Sequence, residues 1–398
     1  MQQAIPINPA LLQWARIEAG LSLQEAAERA KVPSPRQKKG EERVSPEERL
    51  ASWEQGIDVP SLSQLESIAD AYRRPILTFF LPESPIQIET LADFRTTHES
   101  SFTTDTPEFS ALKRRIILLH RELKTLADDE GNTPLPFVGS YDPSSGVDTF
   151  VNAIREVLGV SFEDQQRQPA EDKLLGYLRD LTHDAGIYVV LMGDVGSHHS
   201  KIEPDEFRGI SVADPIAPLV VINKYDAKPA MLFTLIHELA HIWMGASGVS
   251  NLNGLGANGN SSDVERFCNA VAAEFLVPEI QIRAAWKNPE GSLQQAVDEL
   301  AKKFKVSGAV VGRRLLDAGI INRQEYGALL TTYQRRWESV RNKNKTGRGP
   351  DPNRLAGYYL GKKTINTFIH AANSGRITLQ DAARVLNIPV SRFDKVVQ

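Results

Sequence analysis

Between Met231 and Met244 every position is apolar except Thr234, His237, Glu238 and His241, and Gly245 closes the run. An apolar stretch of that length ended by glycine predicts a buried helix. A second helix is predicted over Ser262–Leu276, where Val264, Phe267, Val271, Phe275 and Leu276 recur at helical spacing and Ser261 or Ser262 can cap the start. Short apolar runs at Ile187–Met192, Phe207–Val212 and Leu219–Ile222 read as strands. Phe109–Leu126 reads as a helix, and 128–146, rich in Pro, Gly and Ser, as loop. Before residue 85, "LLQWARIEAGLSLQEAAERAKV" gives two helices broken at Gly20, the second capped by Ser22 with Glu25 at the capping-box position. "SPEERLASWEQG" and "SLSQLESIADAYRRPILTFFLPE" add further helices. The fold class expected is mainly α with a small β-sheet, an α+β arrangement.

Composition narrows the picture. A chain of 398 residues with 41% hydrophobic content suggests two to three domains with real cores. One cysteine excludes a disulfide framework. The first residues lack a basic-then-apolar leader and no run of 18 apolar residues occurs, so a cytoplasmic protein without membrane contact is expected. The net charge of −4 hides an asymmetry. Residues 1–85 hold 10 Lys and Arg against 12 Asp and Glu, whereas 326–398 hold 13 against 4. Such a basic run either packs on the acidic remainder of the chain or contacts nucleic acid.

The polar residues inside the apolar run carry the chemistry. His237, Glu238 and His241 form an H-E-x-x-H pentapeptide. Residues four apart on a helix share a face, so the two imidazoles can bind one metal ion with Glu238 beside them to move a proton. A third protein ligand is needed, and Glu265 on the next helix is placed either to supply it or to act as a capping glutamate. Asn269, one turn on, can hydrogen-bond the ligand carboxylate from behind. Cys268 shares that face and reads as a small buried residue. The other six histidines (His98, His120, His183, His198, His199 and His370) lack ligand spacing.

"FRGISVADPIAPLVVINKYDAKPAMLFTLIHELAHIWMG" followed by "VERFCNAVAAEFLVPE" resembles the ImmA/IrrE family of metallopeptidases over residues 185–320. In that family H-E-x-x-H on one helix is joined by a glutamate within E-x-x-x-N on the next. The resemblance therefore implies a zincin-like core, His237, His241 and Glu265 as metal ligands, and Glu238 as general base. Cys268 departs from the pattern, where alanine is expected. Zinc suits such a donor set, and manganese also suits carboxylate-bearing sites. Glu238 would take a proton from water and return it to the leaving nitrogen, with Arg208 or Tyr225 a candidate to steady the oxyanion. A sheet edge could hold an extended peptide by strand addition. An open three-ligand set disfavours a purely structural zinc site.

The N-terminal residues "GLS", "WEQGIDVPS" and "LESIADAYRRP" resemble an XRE-type, lambda-repressor-like helix-turn-helix domain. The order, helix-turn-helix before peptidase, matches a long-chain subgroup of the family. Two departures weaken DNA binding by this unit. "PSPRQKKGEERV" intrudes before the would-be recognition helix, and Glu47 and Glu48 stand near that helix's start, where base contacts belong. Arg36, Lys38, Lys39 and Arg49 are the candidate DNA contacts. The expected organisation is a helix-turn-helix domain over 1–85, a linker and connecting helix over 86–145, a metallopeptidase domain over 146–289, a helix-turn-helix-like segment over 290–325 and a basic helical region over 326–398. The resemblance implies a zinc-dependent endopeptidase that cleaves a repressor or antitoxin encoded nearby. The alternative is a transcription regulator whose peptidase fold binds or senses a partner without cutting it.

Overall fold

A computed structural model describes residues 7–34, 44–84, 106–196, 200–250, 263–287, 291–343 and 352–393. The candidate residues Arg36, Lys38, Lys39, His98, His198 and His199, and the caps Ser261 and Ser262, lie outside these. Two compact units are present, one formed by 1–92, 100–117 and 194–202, the other by 93–99, 118–193 and 203–398.

In the first unit four helices, α1 (Pro9–Glu18), α2 (Leu23–Arg29), α3 (Pro46–Glu54) and α4 (Leu62–Ala71), precede a 3-10 turn at Ile76–Phe80. Three of the four start at a capping box: Ser22 with Glu25, Ser45 with Glu48, and Ser61 with Gln64. In each box the serine and the third residue satisfy each other's free amides, which fixes where the helix begins. Glu48 is thereby engaged in capping. The apolar faces meet in a core of Leu11, Leu12, Leu50, Trp53, Leu65 and Phe79. Arg16 on α1 and Glu54 on α3 form a shielded, two-pronged ion pair at 2.7 and 2.9 Å.

The second unit contains helices α6 (Val147–Leu158), α7 (Phe162–Arg167) and α8 (Glu171–Asp184), reached through the later half of α5 (Pro107–Asp129). A four-stranded sheet follows, β1 (Tyr188–Met192), β2 (Gly209–Val212), β3 (Leu219–Asn223) and β4 (Gly248–Ser250), in the order β1-β3-β2-β4. β1 runs parallel to β3, with Val189 opposite Val220, and β2 runs antiparallel to both β3 and β4. Every residue of β1, β2 and β3 is buried, so both faces of those strands are covered. Continuous Val, Ile and Leu runs are what such a sheet requires. α9 (Lys228–Trp243) packs on β2 and β3, and α10 (Asp263–Leu276) packs on α9 and α6.

The remaining helices are α11 (Glu279–Ala285), α12 (Leu293–Phe304), α13 (Gly308–Asp317), α14 (Arg323–Lys343), α15 (Pro352–Leu360), α16 (Lys362–Asn373) and α17 (Leu379–Leu386). Part of the basic C-terminal stretch belongs to this fold, because α15 and α16 pack against β1. Arg179 of α8 is the tie. Its guanidinium donates to Val189 O on the open edge of β1, at 2.7 Å, and to the carbonyls of Tyr358 and Tyr359 in α15. Among the described residues, no helix is long and apolar enough to cross a membrane.

Candidate functional site

The helix predicted from the apolar run forms as α9, and all of Met231–Trp243 is buried. Its C-terminal end is completed by the loop before α6. Gly139 N donates to Ile242 O and Tyr141 N to Trp243 O, so the last carbonyls are satisfied. Gly245 follows at φ +69°, and a Cβ there would stand 3.0 Å from the Cα of Gly139. Only glycine meets both demands, the left-handed turn and the close backbone approach.

This anchoring fixes the positions of His237, Glu238 and His241. Their exposures are 0%, 0% and 1%, and that of Glu265 on α10 is 3%. The Nε2 atoms of His237 and His241 lie 3.1 Å apart. The Glu265 carboxylate faces both, Oε2 at 3.2 Å from His237 Nε2 and Oε1 at 3.3 Å from His241 Nε2. Metal bonds of ~2.0–2.1 Å in a tetrahedron put donor atoms about 3.3 Å from one another. The three separations fit that edge, and the donor set of two imidazoles and a carboxylate suits a divalent cation. Two imidazole nitrogens this close cannot both direct protons at each other, and a buried carboxylate beside them needs a compensating charge. A cation between the three resolves both conflicts.

Electrostatics runs the same way. Burial pushes the Glu265 carboxyl up, but its hydrogen bonds to His237 and His241 override this and hold it below the usual carboxylate range. Burial likewise opposes charge on His241, yet Cys268, Glu265 and Glu238 around it raise its pKa well above the usual histidine value.

Glu238 lies against the sheet. A Cβ added to Gly209, the first residue of β2, would stand 2.2 Å from Glu238 Oε1 and 2.6 Å from Thr234 Cγ2. Gly209 is thus the reason α9 can carry a carboxylate at this depth, a role its sequence position alone does not reveal. A glycine inside a strand is the general sign of such an approach. Cys268 is buried, as its sequence reading expects, and it also stands beside the two histidines. Its sulfur lies within 4.8 Å of a ring nitrogen of both His237 and His241, and all three side chains are buried. The shared face is visible in the sequence, but the convergence across two helices is not.

The other candidates have partners or surroundings of their own. Asn269 Oδ1 is buried without a hydrogen-bond partner among the described residues. Arg208 Nη1 is held by Asp226 at 3.1 Å, and burial raises the Asp226 carboxyl despite that arginine. The Tyr225 ring packs beside Gly193 with the Lys224 ammonium over its face. Both candidate oxyanion groups are thus tied to the β3–α9 turn and its neighbours. Arg49 donates to Pro33 O at 2.9 Å and stacks over Trp53.

Residues 184–316 match the peptidase M78 family, described as the IrrE N-terminal-like domain. That match supports the ImmA/IrrE resemblance and a peptidase-type family for this segment of the chain. No curated protein and no solved structure matches the chain.

Proposed function

We propose that the second unit is a zinc-dependent endopeptidase in which His237, His241 and Glu265 hold the metal and Glu238 is the general base. The observation that carries this is the convergence of three buried donors at 3.1–3.3 Å with a second buried carboxylate, Glu238, next in sequence to His237, inside a segment of peptidase family. The metal, when bound, supplies Lewis acidity toward water and toward a peptide carbonyl. Glu238 takes a proton from the attacking water and returns it to the departing amine. Its burial against Gly209 keeps the carboxylate fixed and dry, which strengthens its interactions with any charge that develops beside it. Arg208 and Tyr225 are the residues to test for steadying the oxyanion.

The substrate class follows from the resemblance alone: a repressor or antitoxin-like regulator encoded nearby. The first unit is read as an XRE-type domain that engages DNA or the partner. Co-expression with such a regulator tests the whole reading. Wild type processes it. Glu238→Gln keeps the fold and one metal per chain while processing falls ~10²–10⁴-fold. Glu265→Ala loses metal by elemental analysis. Full metal in Glu265→Ala removes Glu265 from the site, and processing that survives Glu238→Gln assigns the base elsewhere. Metal uptake without processing of any neighbouring regulator supports a regulator that binds its partner without cutting it.

A further inference from the structure

We propose that Cys268 is a fourth protein ligand whose thiolate closes the coordination shell left open by His237, His241 and Glu265, so that the resting site is latent until the sulfur leaves. The inference deepens the metallopeptidase reading and rests on it. Cys268 stands three residues after Glu265 on α10, which places the two side chains on one face of that helix, directed at α9. Its sulfur and the two imidazoles lie within 4.8 Å of one another. Bond lengths of ~2.3 Å to sulfur and ~2.0–2.1 Å to nitrogen require about 3.6 Å between donors in a tetrahedron. The sulfur is therefore within side-chain reach of the two imidazoles, with Glu265 on its own helix face.

Two further observations describe the setting in which the sulfur would act. The Nδ1 atoms of both histidines are buried with no partner among the described residues. The rings thus lack the outer hydrogen bonds that commonly orient metal-binding imidazoles, which leaves the metal's own ligands to fix the geometry. In addition, Cys268 is the only cysteine of the chain and is fully buried, so no disulfide within the chain competes for it. A buried thiol at a metal is the softest donor in this set, and it biases the site toward zinc or cobalt over manganese. Four protein ligands make a closed site of the kind that holds structural zinc, with no corner for water. Cleavage then requires the thiolate to move off.

The test uses the purified full chain loaded with cobalt(II). The expected wild-type spectrum carries an intense near-ultraviolet thiolate-to-cobalt charge-transfer band. Cys268→Ala and Cys268→Ser keep one cobalt per chain and lose that band. In competition with a chromophoric chelator, their zinc affinity falls by about tenfold or more, and manganese competes better than in wild type. On the processing assay both variants are faster than wild type. A wild-type cobalt spectrum without the charge-transfer band, together with unchanged zinc affinity in Cys268→Ala, overturns the inference and leaves the three-ligand centre standing. A wild-type chain that takes up no cobalt overturns both.

Discussion

Gly209 and Glu238 share a space with no room for a methyl group. Gly209→Ala should push the Glu238 carboxylate off β2 and cost about 1–3 kcal/mol through overpacking. The expected signature is a large loss of processing with metal content kept, since the atoms nearest a Cβ at Gly209 belong to Glu238 and Thr234 and not to His237, His241 or Glu265. Elemental analysis beside the co-expression assay checks this. Loss of metal in step with activity would show that the substitution disrupts α9 as a whole. At this scale the pair His237 and His241, four residues apart on one apolar run, was legible in the sequence because helical geometry alone brings them together. Glu265 was legible as one of two readings. Gly209 and Cys268 were not, since their roles depend on which element lies opposite, and no local pattern encodes that.

Among the elements, α8 carries a titration into the fold. His183 is 6% exposed, its Nε2 lies 3.2 Å from Val189 O, and burial, with Arg179, Lys363 and Lys362 nearby, lowers its pKa from 6.5 to about 4. An unfolded chain binds a proton there below pH 6.5, whereas the folded one does not until about pH 4. The neutral ring's contribution is therefore complete above pH 6.5 and declines as the pH falls from 6.5 to 4. The slope is about 1.4 kcal/mol per pH unit. Urea titrations of wild type and His183→Asn across that range should differ in slope by roughly that amount. Parallel curves would mean the ring is charged in the folded state. The helices α5, α9 and α10 and the three longer strands were legible from periodicity and apolar runs. β4 was not, because Gly248-Val249-Ser250 is too short to show a pattern and is a strand only through pairing with β2. The packing of α15 on β1 was equally hidden, because it joins distant stretches of the chain.

For the whole molecule, charge is the open variable. The basic stretch 326–398 reads in the sequence as either a packing surface or a nucleic-acid surface, and the structure divides it. α15 and α16 pack on β1, while Lys362, Arg384 and Arg392 remain exposed. Replacing these three by Gln removes charge without touching the core. If the region binds DNA, the slope of log affinity against log salt should flatten by about 0.9 for each phosphate that is no longer neutralised. Anisotropy titrations at several salt concentrations, with specific and scrambled duplexes, measure it. An unchanged slope would leave the basic region a structural element only.

The bond from Arg179 to Tyr358 spans 179 positions of chain. At ~5–20 residues per second, a ribosome delivers the partner of Arg179 on the order of 10–40 s after Arg179 itself. Every residue of the proposed metal centre is already synthesised well before then. During that interval the α15 and α16 cover of β1 has not been made, and the strand's outer edge is open to pairing with another nascent chain. Birth of this protein thus passes through a stage at which the chemistry is encoded but the sheet beneath it is unprotected, so premature termination between the centre and α15 yields a product prone to self-association.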